Sequence, residues 1–345
     1  MYEGIEGVVK YPREATIFAA FCAIVFCVFG VLGNFITILA LCQSTKLKTH
    51  CTTAFVISLC VSDLIFCAVN LPLTAARYIY ETWIFGDALC QLFPVLFYGN
   101  VAGSVLSMTA IAINRVVLIT LYEYYTKLCS RLSICLQLLG TWVIALLITL
   151  PSLLGVWGRL GLDPSTFSCT ILQKDGKSPK KIVFICGFII PCLVIIVSYS
   201  CIYWKVKTSE IRTRSHDPIK NQRSAKRERD DRRLTKLMAL IFFCFLLCFL
   251  PLMLTNVFDD RVTYPVFHVV ASILAWASAA INPLIYAGTN KQYRSAYKKL
   301  LHMVRSSVTG APAESAPLTN PLSSKQDPQI QRDSNCKLKD SSNVL

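Results

Sequence analysis

Leu240-Ile241-Phe242-Phe243-Cys244-Phe245-Leu246-Leu247-Cys248-Phe249-Leu250-Pro251-Leu252-Met253-Leu254 passes fifteen residues without a charge. Widened to about 233–257, it is long enough as a helix to cross a ~30 Å hydrocarbon core, which takes about 20 mostly apolar residues. Six more stretches have the same character: 16–42, 52–77, 88–118, 133–156, 182–206 and 265–287. Overall, 54% of the 345 residues are hydrophobic and 16% charged, against about 25% charged in an ordinary soluble domain. Disorder, a disulfide-stapled mini-protein and a conventional cytosolic enzyme are excluded on that balance. Segments alternating over ten residues, the mark of a membrane β-barrel, are missing, and so is any internal repeat of the kind that builds many transporters. The expectation is an all-α membrane protein, a seven-transmembrane helix bundle.

Its orientation follows from charge. With the N-terminal segment 1–15 outside, the segments 43–51, 114–132, 205–236 and 288–345 face inward and carry a net +16. The outward segments carry −1, while Asp63 and Arg77 cancel inside the second span, which completes the total of +15. The positive-inside rule therefore predicts an extracellular N-terminus, a cytoplasmic C-terminus and a multi-pass place in the plasma membrane. The basic excess faces the anionic inner leaflet and needs no nucleic acid to explain it. Residues 1–16 hold Glu3, Glu6 and Glu14 and no basic n-region, so the first span is expected to act as a signal anchor.

Of the sixteen cysteines, only Cys90 and Cys169 fall at the outer face of this topology. Disulfides persist in that compartment, so these two are expected to bridge the top of span three to the second outer loop. The other cysteines lie in spans or inside, and the four histidines are dispersed, which gives no metal-ligand pattern.

Several polar residues stand where lipid tolerates them poorly. Asp63, in the middle of span two, should face the bundle interior with a partner or an ion. Asn34, Asn100, Ser104, Ser278 and Asn282 are its candidate companions. Their oxygens suit a hard cation, so Na⁺ at Asp63, Asn100, Ser104, Ser278 and Asn282 is the expected allosteric ion, and no other cofactor is required. The bland alternative is a protonated, hydrogen-bonded carboxyl. Arg115 lies 25 residues after Cys90, about 37 Å along a helix. If Cys90 is at the outer face, Arg115 is at the inner one, either snorkelling to headgroups or exchanging partners between two states. Prolines at 72, 151, 191, 251 and 283 remove helix hydrogen bonds and predict kinks.

Taken in order, these residues resemble the class A, rhodopsin-like G-protein-coupled receptors over about 16–303. The resemblance rests on Gly33-Asn34, Leu59 with Asp63, Cys90 with Asn114-Arg115, Trp142, Pro191 with Tyr199, Cys248-Phe249-Leu250-Pro251, and Asn282-Pro283-Leu284-Ile285-Tyr286. Within that family, residues 161–172 and 248–254 resemble the arthropod group of moody and trapped-in-endoderm receptors. The resemblance implies a receptor that binds an extracellular ligand and opens its cytoplasmic face to a heterotrimeric G protein. It also implies roles in directed cell migration or in barrier epithelium and glia. Arg115, Tyr199 and Tyr286 would line the coupling cavity; Arg77, Phe97, Tyr98, Val101, Phe249 and Asn256 would wall the ligand site. The sequence departs from the family where Asn114-Arg115-Val116 replaces Asp-Arg-Tyr, where Phe249 replaces the usual Trp, and where Phe97 replaces the acid of amine receptors. Asp231, at the start of span six, is expected to compensate for the missing acid beside Arg115. Without a lysine in span seven, a retinal Schiff base is excluded.

The run Lys226-Arg227-Glu228-Arg229 reads as a G-protein docking edge. Residues 290–303 read as an amphipathic eighth helix on the membrane surface. The tail 306–345 is rich in Ser, Pro and Asn, and is expected to be disordered and to recruit receptor kinase and arrestin. Two other classes compete. An intramembrane enzyme needs a nucleophile–base pair or metal ligands at one depth, and an ion transporter needs more coupling carboxylates than Asp63 alone.

Overall fold

A computed structural model describes residues 11–48, 50–175, 179–213, 222–259 and 262–309. Seven of its helices are long and apolar enough to cross a membrane: α1 Arg13–Gln43, α2 Cys51–Tyr80, α3 Gly86–Thr120, α4 Arg131–Leu153, α5 Lys180–Thr208, α6 Arg232–Phe258 and α7 Pro265–Thr289. Helix α6 continues a longer helix that starts at Gln222, and α8 spans Lys291–Thr309. With no water to take their backbone groups, apolar runs of this length satisfy them only within a helix. Each observed span agrees with its expected range to within a few residues, and α8 runs past the expected end at 303. Segment 1–10, the tail from 310 and the side chain of Asp231 lie outside the described residues.

Burial sorts the helices. The apolar stretches of α2 and α3 are 61% buried and that of α4 only 11%. Phe18 and Phe29 of α1, Leu139 of α4 and Val197 of α5 are exposed, and an apolar belt of this extent belongs in lipid. The central core joins Phe55, Leu59, Val105, Ile111, Ile195 and Ile241 from four helices. Small residues set the closest approach. A Cβ on Gly33 would sit 3.0 Å from Pro283 Cγ, so α1 and α7 meet there only because the side chain is missing.

The prolines act in different ways. Phe66–Asn70 and Ile185–Ile189 are π-helical turns placed just before Pro72 and Pro191. A proline ring collides with the carbonyl four residues earlier, here at Ala68 and Gly187, and a wider turn accommodates both that clash and the lost donor. Ahead of Pro151 the helix breaks, and a short helix resumes at Leu150–Leu153. Around Pro251 and Pro283 the helices stay continuous.

The loop between α4 and α5, the second outer loop of the expected topology, holds β1 Arg159–Asp163 and β2 Ser168–Leu172, paired antiparallel with Leu162 opposite Cys169. The two halves of 161–172 are thus the two strands of one hairpin. Gly158, at φ +71°, starts it, and a Cβ there would lie 2.9 Å from Leu172 O. Thr37 Oγ1 and Tyr297 OH, 2.9 Å apart, fasten α8 to α1. Tyr293 and Leu300 on the same face of α8 are buried.

Candidate functional site

The polar residues collect in three layers. The outer layer lies under the hairpin, which Cys90–Cys169 ties to α3 with the Cα atoms 5.2 Å apart, as the topology had predicted. Beneath it is a cavity of about 720 Å³ lined by Arg77, Phe97, Tyr98, Asn256, His268 and Trp276, among others. Arg77 is 7% exposed. Its Nη1 donates to Thr166 O at 2.8 Å, and its guanidinium carbon lies 4.4 Å from the centre of the Tyr78 ring. Tyr98 OH and Thr170 Oγ1 are 3.1 Å apart, which joins α3 to β2.

Two carboxylates fix the rim. Glu81 accepts from Arg13 Nη1 at 2.9 Å and from Thr16 Oγ1 at 2.8 Å, and these donors, Arg13 foremost, hold its carboxyl below the usual range. Asp259 accepts from Thr263 N at 2.9 Å and Tyr264 N at 3.3 Å, with His268 Nε2 3.0 Å away. The Thr263 backbone bond leads in lowering its pKa to about 2.

The middle layer is a pocket of about 320 Å³ that brings together Asp63, Asn100, Ser104, Ser278, Asn282 and Phe249. Asp63 is 4% exposed. Asn282 Nδ2 donates to its Oδ2 at 2.8 Å and Ser104 Oγ to its Oδ1 at 3.2 Å. Asn100 turns its amide to Asn70 Oδ1 at 3.3 Å. Asn34 instead donates to Ala279 O at 3.0 Å and pins α1 to α7. The donor set facing the pocket is carboxylate, hydroxyl and amide oxygen, which fits a small hard cation. Phe249 stacks on Phe245 at 4.9 Å and lines this middle pocket. Val101 borders the middle pocket and an apolar slot beside the outer cavity.

The inner layer surrounds Arg115, 1% exposed. Its Nη2 donates to Thr52 Oγ1 of α2 at 2.6 Å. Asn114, where the family has an acid, donates to Ala110 O at 2.8 Å and Gln137 Oε1 at 3.3 Å. Its own Oδ1 accepts from the thiols of Cys51 at 3.5 Å and Cys129 at 3.9 Å. Tyr286 is fully buried and stacks on Tyr293 of α8 at 5.0 Å. Tyr199 is half-buried on α5. Thr52, Cys51, Cys129 and Gln137 were not expected from the sequence. Nothing in the composition marks a threonine 63 positions away as the partner of an arginine.

A seven-helix bundle with a disulfide-tethered outer hairpin, a buried intramembrane carboxylate and a buried inner arginine is the architecture of a membrane receptor. The chain belongs to the seven-transmembrane receptors of the rhodopsin family, whose model matches residues 33–286. It is 49% identical to "Protein trapped in endoderm-1" of Drosophila melanogaster, over 93% of this chain and 86% of that one. It is 34% identical to "G-protein coupled receptor moody" of the same fly over 84% of this chain, and the match spans about half, 52%, of that longer relative. The fold matches squid rhodopsin with a TM-score of 0.75, at 23% identity and with 88% and 92% of the two chains covered. The chain is accordingly a G-protein-coupled receptor. Proteins of this family are receptors, not enzymes.

Proposed function

We propose that this receptor sits in the plasma membrane with its N-terminus outside, takes an extracellular ligand in the cavity beneath the hairpin, and couples that event to a G protein at Arg115. The observation that carries the reading is the state of Arg115. At 1% exposure it is covered by the bundle, so coupling needs a second state in which the inner ends part and uncover it. A ligand favours that state only by its difference in affinity for the two. Phe97, Tyr98, Val101, Asn256 and Arg77 are the ligand-facing candidates; Asn282, Pro283, Tyr286, Pro251 and Phe249 belong to the moving parts. Asp231 remains a candidate second partner of Arg115.

Asp63, Ser104 and Ser278 would hold Na⁺ in the middle pocket, with Asn100 and Asn282 orienting them. The bound ion would supply a counter-charge to the carboxylate and favour the closed state. Receptor kinase and arrestin are the further partners read from the tail. On the resemblance carried by 161–172 and 248–254, the tissue role is in directed cell migration or in barrier epithelium and glia.

The test is nucleotide exchange by G-protein heterotrimers with the full chain in nanodiscs. Arg115→Ala should abolish the receptor-dependent exchange at unchanged surface expression. Undiminished exchange in that variant would overturn the coupling site. Tags accessible outside at the C-terminus would overturn the orientation.

A further inference from the structure

Arg77 is the unusual group of the outer cavity. A buried guanidinium is costly unless its charge and its donors are met. Here one Nη donates to a carbonyl and the plane rests on Tyr78, while Nε is buried without a hydrogen-bond partner. Among the described residues no carboxylate pairs with it. Asp163, which lines the same cavity, is turned to Ser165, whose N and Oγ donate to it at 3.0 and 2.6 Å; Glu81 pairs with Arg13 and Asp259 with His268. An anion on the cavity side of Arg77 would supply what the protein leaves out.

A second feature adjoins it. An apolar slot of about 540 Å³ runs between α3, α5 and α6, walled by Val101, Val183, Phe184, Phe188, Met253 and Val257, with Ile148 of α4 at its side. Tyr98, Lys180 and Asn256 line both this slot and the polar cavity, so the two spaces meet at those side chains. The slot follows the π-turn Ile185–Ile189, and Ile144, Leu147, Ile182 and Ile185 beside it face outward to lipid. A polar cationic chamber continuous with an apolar channel fits a molecule with an anionic head and one hydrocarbon tail. A compact polar anion leaves the slot unused, and a neutral lipid leaves Arg77 unmet.

We propose that the ligand of this receptor is a single-chain anionic amphiphile, its phosphate or carboxylate head at Arg77 and its tail in the slot between α3, α5 and α6. The proposal rests on the outer cavity being the ligand site.

Displacement of a fluorescent fatty-acid probe from the full chain in nanodiscs tests it, with lysophosphatidate as the competitor. At equal free concentration in water, each added methylene should tighten binding about fourfold until the slot is full. The neutral monoacylglycerol of equal chain length and glycerol 3-phosphate, which has the head without the tail, should each bind at least about tenfold more weakly. Arg77→Gln should lower lysophosphatidate affinity by about the same factor and leave monoacylglycerol unchanged. Should that variant fail to reach the membrane, Gly187→Val fills the slot without touching the head site and should remove the dependence on chain length. Equal binding of the neutral lipid, equal binding of the chainless phosphate, or affinity indifferent to Arg77→Gln and to Gly187→Val would each overturn the proposal. Binding is read apart from nucleotide exchange. Absent binding with normal basal exchange overturns the amphiphile site alone, whereas binding that never alters exchange overturns the cavity as the ligand site.

Discussion

Replacing Thr52 by valine keeps the shape of the residue and removes the hydroxyl that accepts from Arg115 at 2.6 Å. Both partners are withdrawn from solvent, at 2% and 1% exposure, so the bond belongs to the charge-assisted class worth about 1.5–3 kcal/mol. Arg115 has further contacts besides, and the lower end applies. On the coupling proposed above, a G protein would meet Arg115 only after it leaves this position, so the bond would stabilise the closed state and be absent from the open one. Losing about 1.5 kcal/mol from the closed state multiplies the open fraction about tenfold. Agonist-free nucleotide exchange in membranes at matched receptor density should rise by that factor in Thr52→Val, with maximal exchange unchanged. Thr52→Ser keeps the hydroxyl and should stay near the wild type. Basal exchange in Thr52→Val equal to the wild type, or an equal rise in Thr52→Ser, would refute the reasoning and return the resting hold to Asp231 or to ring packing.

Three further outcomes follow from the geometry. Gly33→Ala would press a methyl to 3.0 Å of Pro283 Cγ and should lower thermal stability by about 1–3 kcal/mol. Gly140→Ala, with no atom within 4 Å, should be neutral or stabilising in the same melt. Replacing K⁺ by Na⁺ at constant ionic strength should lower basal exchange in the wild type and leave Asp63→Asn unmoved; equal sodium response in both would remove the ion from Asp63. The Asp259 carboxyl titrates at about 2, below its ordinary 3.8. Its contribution to stability is therefore complete above about pH 4 and fades as pH falls toward 2. The protection of the Thr263 and Tyr264 amides against hydrogen exchange, taken relative to the free-amide rate at each pH, should fall over that window, and in Asp259→Asn it should lose this pH dependence.

What could be read from the sequence was whatever depends on one segment at a time. A charge-free run such as 240–254 has one low-energy state in lipid, and the sign of its flanks orients it. Cys90 and Cys169 needed only the topology, because the outer face holds no other cysteine to choose from. Pro72 and Pro191 announced an irregularity. That it takes the form of a π-turn depends on neighbouring helices accepting one extra residue per turn, which no local pattern encodes. Pro94, inside α3, leaves that helix continuous through Gly86–Thr120. The hairpin was invisible for another reason: β1 is Arg-Leu-Gly-Leu-Asp and β2 Ser-Cys-Thr-Ile-Leu, five residues each. Strands so short lie at the lower limit of the length over which alternation can be recognised. The middle pocket was legible because buried polar residues are scarce in a membrane and must find one another. The inner layer was not, because Thr52 and Cys129 look like ordinary loop-proximal residues until the bundle folds.

The three layers differ in how they can communicate. Phe184 and Phe188, in the wall of the slot, have ring centroids 5.7 Å apart. Phe188 meets Phe245 at 6.1 Å, and Phe245 stacks on Phe249 at 4.9 Å. Phe249 in turn borders the pocket that holds Asp63. A hydrocarbon tail in the slot would press on one end of this row and an ion beside Asp63 on the other. Close-packed rings do not deform by degrees; they hold one arrangement or another. Two ligands that bias the same row are linked, and each changes the affinity of the other by one and the same factor. Sodium should therefore weaken lysophosphatidate binding by the factor with which lysophosphatidate weakens sodium. The displacement and sodium experiments, run together on one preparation, read both sides of that equality. A common factor of one, with neither ligand altering the binding of the other, would mean that the tail and the ion act through separate parts of the bundle.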